Sequence, residues 1–250
     1  MGILNLTPDS FSDGGMFNTT KKALHRAHQL EAEGADIIDI GGESTGPGSK
    51  DISLAEELSR VIPLLKKIRK HCKLPISVDT YKSEVARQAL EEGADMINDI
   101  TALRQDPTLA KVVAHYKCPL ILLYSKDKTA RTTLKEVHYQ DVIKTIKAFL
   151  KKQITLAAKH GIKNIIIDPG MGQFISSIPK YSFEIIARLS ELKTLNHEVL
   201  IGISRKSFLG GKLTERDEKS AALSAIAYLN GASIIRTHNV KETRSCLTWN

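Results

Sequence analysis

The sequence predicts one eight-stranded β/α barrel, a single domain over residues 1–250, and three observations predict it. Short β-rich apolar runs alternate eight times with longer runs of helical spacing. Gly34, Gly93, Gly161 and Gly231 each stand between a helical run and the next strand run, where the left-handed position after a helix's last turn suits glycine. The length, 250 residues, is also usual for one barrel of this kind. Strict alternation implies parallel strands joined by right-handed crossovers. An open doubly wound sheet would share that alternation, but eight units in this length favour closure.

The strand runs are 1–6, 36–40, 76–78, 96–97, 120–124, 165–167, 200–203 and 233–236. Between and after them, 22–33, 54–71, 83–92, 106–115, 137–160, 181–192, 218–230 and 241–247 carry the three- and four-residue apolar spacing of helices, as Ala23, Leu24, Ala27 and Leu30 illustrate. The longest connections, 7–20, 41–53 and 127–136, are of the length that usually serves function.

Lys and Arg outnumber Asp and Glu by 36 to 28, a net charge of +8 that favours anionic ligands. Nucleic acid is not indicated. The basic residues (Lys66, Lys67, Arg69, Lys70; Lys147, Lys151, Lys152) sit on helical runs without interleaved aromatics and read as solvated faces. Cys72, Cys118 and Cys246 lie too far apart for redox or zinc spacing, which predicts a reducing, cytoplasmic setting. No apolar run approaches the ~18 residues of a membrane span, and the opening residues lack the basic start of a signal peptide.

Catalytic groups in such barrels sit at the C-terminal ends of the strands. In order, the strand ends offer Asn5; Asp39 and Glu43; Asp79; Asn98 and Asp99; Tyr124 and Ser125; Asp168; Ser204, Arg205 and Lys206; and Arg236 and His238. Each also has a plainer role: Asp79 and Asp99 would serve as helix caps, and Asp168-Pro169-Gly170 as a tight turn. Arg236 and His238 are two residues apart and so face one side of a strand, a suitable anion clamp. Ser204-Arg205-Lys206-Ser207 follows strand seven, where barrels frequently bind phosphate. No local serine–histidine–acid or cysteine–histidine signature supports covalent catalysis.

Taken together, these motifs resemble the dihydropteroate synthase family. The first strand and loop (Met1-Gly2-Ile3-Leu4-Asn5-Leu6-Thr7-Pro8-Asp9-Ser10-Phe11-Ser12-Asp13-Gly14-Gly15) are similar to the family's, and so are Gly42-Glu43-Ser44-Thr45, Ser77-Val78-Asp79-Thr80, Ile97-Asn98-Asp99, Asp168-Pro169-Gly170, Ser204-Arg205-Lys206-Ser207 and Arg236-Thr237-His238. The resemblance implies condensation of dihydropterin pyrophosphate with para-aminobenzoate, with release of pyrophosphate, in folate biosynthesis. It implies that Asp79, Asn98, Asp168 and Lys206 hold the pterin. Asn5, Arg236 and His238 would hold the pyrophosphate, with Mg²⁺ at Asn5. Phe11 and Asp13 would close over a pterin-methyl cation, and Thr45, Pro47 and Ser207 would border the aminobenzoate. A homodimer is implied as well. The chain departs from the family pattern at Gly46, usually Arg; at Leu123-Tyr124, usually Met-His; at Met171-Gly172-Gln173, usually aromatic-Gly-aromatic; and at Asn239, usually Asp. A reduced-folate methyltransferase of the same superfamily, or a non-catalytic pterin binder, would share the barrel and the pterin carboxylates.

Overall fold

Eight parallel strands follow one another in chain order around the barrel in a computed structural model that describes residues 1–6 and 16–248, with side chains described in the first helix from residue 21. They are β1 (Gly2–Asn5), β2 (Ile38–Gly41), β3 (Ile76–Asp79), β4 (Met96–Asp99), β5 (Leu120–Leu123), β6 (Ile165–Asp168), β7 (Glu198–Ile201) and β8 (Ile234–Ile235). The ring closes between its last and first strands: the Ile3 amide donates to the Thr237 carbonyl at 2.9 Å, and the Thr237 amide to the Met1 carbonyl at 3.0 Å. This excludes the open sheet.

The helices α1 (Met16–Ala32), α2 (Leu54–His71), α3 (Ser83–Glu91), α4 (Leu109–Tyr116), α5 (Val142–Lys159), α6 (Pro179–Ala187), α7 (Arg216–Leu229) and α8 (Val240–Leu247) form the outer layer. Helix α2 shows why such a segment folds as it does. Ser53 caps it by accepting from the Glu56 amide, and acids lie in its first turn with Arg69, Lys70 and His71 in its last. Val61, Leu64, Leu65 and Ile68 form the stripe it buries against the sheet. At its end the chain turns into β3, as it does after α3 through Gly93 at φ +94°.

Strand periodicity sorts the barrel's interior into layers. Met1, Met96, Ile121 and Leu200 are buried together at the N-terminal end, with Ile37, Ile166 and Ile234 packed against them. Two residues further along, the same inward parity reaches Ile3, Asp39 and Ser77. The same step of two residues from Met96, Ile121, Ile166 and Ile234 already brings Asn98, Leu123, Asp168 and Arg236 to the C-terminal mouth, and one more step on β1 and β3 brings Asn5 and Asp79. An apolar floor under a polar mouth is therefore written into each strand as an alternation.

Three boundaries differ most from expectation. Helix α1 begins at Met16, ahead of the expected 22. Helix α5 begins at Val142 rather than 137, because Asp141 caps it by accepting from the Lys144 amide at 2.9 Å. The residues before it are instead held by the β6–α6 connection and the first turn of α6, with the Val137 amide donating to Ser176 Oγ and the Tyr139 amide to Tyr181 Oη. Finally, the run 181–192 divides into α6 and a 3₁₀ segment, Leu189–Leu195, which ends at left-handed Asn196.

Candidate active site

A cavity of about 410 Å³ occupies the C-terminal mouth. Asn5, Thr45, Pro47, Asp79, Asn98, Asp168, Lys206, Ser207, Arg236 and His238 all line it. Phe11 and Asp13 lie outside the described residues.

Asp168 ends β6 and is almost fully buried. Its Oδ1 accepts from the Gly170 amide at 2.7 Å, so the turn residue and the acid are one unit. Burial pushes its pKa up to about 6, against the opposing pull of that amide, Lys206 and Arg236. Burial also brings the Lys206 ammonium down to about 8, with Asp168 resisting. Lys206 Nζ lies 4.8 Å from the centre of the Phe174 ring. Beside them, Asn98 Oδ1 is buried without a hydrogen-bond partner among the described residues. An unpaired buried acceptor is costly, and one on a residue that lines the cavity suits a ligand's N–H.

Arg236 bridges two acids. Its Nε donates to Asp39 Oδ2 at 2.6 Å and a terminal nitrogen donates to Asp79 Oδ2 at 3.0 Å. Asp39 is fully buried. Burial drives the Asp79 pKa up to about 7; Arg236 opposes that rise and Asp39 adds to it. The guanidinium is thus largely compensated by its own protein partners. His238 accepts no proton near neutral pH, because burial, reinforced by Arg236 and Arg205, lowers its pKa to about 3. Its Nδ1 lies 2.9 Å from Ser204 Oγ. The ring is neutral, so it contributes hydrogen bonding rather than charge.

Not every strand end faces the mouth. Tyr124 has the parity of Leu120 and Leu122, so it turns outward; it packs edge-on against Phe149 and its hydroxyl meets Tyr139. Leu123 faces the cavity instead. Asp99 also points outward and accepts from the amides of Thr101 and Leu103, so it closes the turn after β4 rather than capping α4, whose N-cap is Thr108. Arg205, at φ +58°, is turned onto Asp217 of α7. Three features of the site were not anticipated: Asp39 as the anchor of Arg236, Thr132 in the cavity wall, and the apolar faces of Ile100, Leu123 and Met171.

At Gly46, where the resemblance leads one to expect Arg, the cavity wall carries no side chain. The basic residues Lys50, Arg104, Lys126 and Arg131 stand on nearby connections, but none lines the cavity. Among the described residues Lys206 and Arg236 are the only Lys or Arg that do. A Cβ built at Gly46 meets nothing closer than Ser44 Oγ at 3.9 Å, so a side chain is sterically acceptable there. Gly46→Arg is expected to lower the KM for an anionic aromatic second substrate by about tenfold, the order of one charge-assisted hydrogen bond. Steady-state kinetics at fixed Mg²⁺ would check this, and equal constants for the two proteins would show the departure to be compensated.

The family described as pterin binding enzyme matches residues 1–238. A dihydropteroate synthase from Streptococcus pyogenes is 45% identical across 96% of this chain and 90% of its own length. One from Synechocystis sp. is 42% identical across 96% and 85%. The chain belongs to the dihydropteroate synthase family. A solved dihydropteroate synthase from Clostridium difficile, determined in the presence of pteroic acid, superposes on this barrel with a TM-score of 0.91 at 39% identity, covering 98% of this chain and 92% of that one. The Xanthomonas albilineans dihydropteroate synthase with 4-aminobenzoic acid also gives 0.91, at 40% identity, covering 98% and 89%. As a dihydropteroate synthase family member, the chain is a transferase whose function is dihydropteroate synthesis.

Proposed function

We propose that the mouth cavity binds dihydropterin pyrophosphate on Asp79, Asn98, Asp168 and Lys206, and para-aminobenzoate beside Thr45, Pro47 and Ser207. The observation that carries this reading is the pairing of buried acceptors, Asp168 and the unpartnered Asn98 Oδ1, with Lys206 in one cavity. An aminopyrimidinone edge presents N–H donors beside a carbonyl acceptor. The two acceptors match the donors, and the Lys206 ammonium matches the carbonyl or a ring nitrogen. Phe174 and Met171 supply apolar wall for the ring.

The pyrophosphate then lies toward Asn5, Arg236 and His238. Asn5 offers one amide oxygen, a hard donor at the cavity wall. No group of three or more His, Cys, Asp or Glu suited to a metal occurs among the described residues. A single protein oxygen fits Mg²⁺, which keeps several waters and takes its other ligands from phosphate. Bound there, magnesium would neutralise charge on the departing pyrophosphate. Ser204 fixes the neutral His238 ring, and Asp39 fixes the Arg236 fork, so both are preorganised for the leaving group. The C–O bond to pyrophosphate breaks, the aminobenzoate nitrogen bonds to the exposed pterin methylene carbon, and the amine loses a proton. Phe11 and Asp13 are assigned to that cationic carbon by the resemblance.

Helix α7 exposes Ile226, Tyr228 and Leu229, an apolar face that supports a homodimer. The three free cysteines support a cytoplasmic location, and no described helix is long and apolar enough to cross a membrane. The reading is tested by mixing the protein with pterin pyrophosphate, para-aminobenzoate and Mg²⁺. Stoichiometric pyrophosphate and dihydropteroate are expected. Binding of the pterin without release would leave only a pterin-binding protein.

A further inference from the structure

We propose that Arg131 and Thr132, on the connection between β5 and α5, are positioning residues that hold the β2–α2 loop in place for the second substrate. This rests on the reading above that Thr45 and Pro47 border the aminobenzoate.

The β2–α2 loop has little to hold itself. Gly46 has no side chain, and the loop's own bonds are local, from the Ser49 amide and hydroxyl to the Gly46 carbonyl. Its other restraints come from elsewhere. The Thr132 amide and hydroxyl both donate to the Thr45 carbonyl, each at 3.1 Å. Arg131 donates to the Glu43 carboxylate and to the Lys50 carbonyl, and pairs with Asp51 at 2.9 Å. One side chain therefore spans the loop from its first acid to its far end.

Both residues are placed to do this. Thr132 is buried and itself lines the cavity, and the Arg131 side chain is only 16% exposed. Glu43 is anchored independently by Lys82 at 2.8 Å, which also pairs with buried Glu57 at 2.7 Å and donates to the Ile52 carbonyl. Burial pushes the Glu43 pKa up, but hydrogen bonds from Lys82 and Arg131 outweigh it and keep the carboxylate ionised. Arg131 thus grips a fixed, charged post.

The far side of the connection is tied to the opposite wall of the cavity. The Lys126 amide donates to the Phe174 carbonyl at 2.8 Å, and its ammonium donates to the Gln173 carbonyl at 2.5 Å and pairs with Asp127. The β5–α5 connection is therefore a strap. It joins the loop that carries Gly46 to the segment that carries Gln173, the two places where the aminobenzoate end departs from the family pattern. A loop held this way needs less ordering when the second substrate arrives.

The test uses the full-length protein with Mg²⁺ and both substrates. Arg131→Met leaves Glu43 its Lys82 partner, so no buried charge is stranded. It should raise the para-aminobenzoate KM by about tenfold, the scale of one charge-assisted hydrogen bond, with the pterin pyrophosphate KM within about twofold. Arg131→Lys should recover part of the loss. Thr132→Val, which keeps its backbone donor and the fold, should raise the same KM alone and by a smaller factor. Tryptic cleavage after Lys50 should be faster in Arg131→Met, a readout that does not need turnover. An unchanged para-aminobenzoate KM in Arg131→Met or Thr132→Val would overturn the proposal. So would an equal rise in both KM values together with a fallen Tm, since that marks a structural role only. Absence of pyrophosphate release by the unaltered protein would instead count against the proposed function.

Discussion

Arg236→Met is expected to abolish measurable turnover and to destabilise the protein by about 3–5 kcal/mol, because it strands a buried charge. The Asp39 carboxylate is fully buried, and Arg236 Nε is its closest donor at 2.6 Å. Asp79 loses its partner in the same substitution. Arg236→Lys is the more informative variant. Two different nitrogens of one rigid fork serve the two acids, and a lysine ammonium on a flexible stem does not reproduce that geometry. On the sequence alone, Arg236→Lys would lower activity far more than stability. That expectation suits a guanidinium free to meet its ligand. With both acids engaged, stability should fall along with activity, by roughly the 1.5–3 kcal/mol of one charge-assisted hydrogen bond. Urea unfolding and pyrophosphate release on the same preparation would check it. Normal stability with normal turnover would mean that the end of β8 plays no part in the clamp.

Asp168→Asn should weaken pterin binding by about ten- to a hundredfold at pH 7.5, since an amide turns one N–H toward a ligand donor and leaves a buried mismatch of about 1–3 kcal/mol. The pH dependence sharpens this. Asp168 titrates near pH 6 in the free site, and its ionised form is the one that accepts from the ring. Affinity should therefore be level above that point and fall as pH drops through 6, approaching about tenfold per pH unit for one proton. Asp79, near pH 7, adds a step of its own if its ionised form is required. The Asn variant should lack the lower step and retain any upper one. Calorimetric titration of a pterin across pH 5–8 would check both; a variant that keeps the step at 6 would remove Asp168 from the binding site.

Much of the site was legible because strand periodicity and topology are local. Once Asp168, Asp79, Asn98 and Arg236 were placed at strand ends, barrel closure brought them together without further information. The same periodicity places Tyr124 outside the mouth, since it shares the parity of Leu120 and Leu122, so a polar residue at a strand end reaches the cavity only when its parity is inward. Asp39 illustrates a different limit. Its place on β2 was evident, but its contact with Arg236 joins residues 197 apart in sequence, and only the closed ring sets that distance. Thr132 carries no sequence signal at all, because a threonine in a polar loop is ordinary until the loop is docked. The start of the helix at Asp141 was readable as a cap and was masked by the apolar Val137 and Tyr139, whose amides are held by Ser176 and Tyr181 instead.

The central claim is that one cavity at the strand C-termini holds the pterin at one end and the pyrophosphate at the other. A crystal structure of the protein with Mg²⁺ and a non-reactive pterin pyrophosphate analogue tests it most directly. The account predicts ring N–H groups on Asp168 and Asn98, Lys206 on the ring's acceptors, and the phosphates beside Asn5, Arg236 and His238. Phosphates seated on Lys206, with the ring outside the Asp168–Asn98 corner, would contradict it.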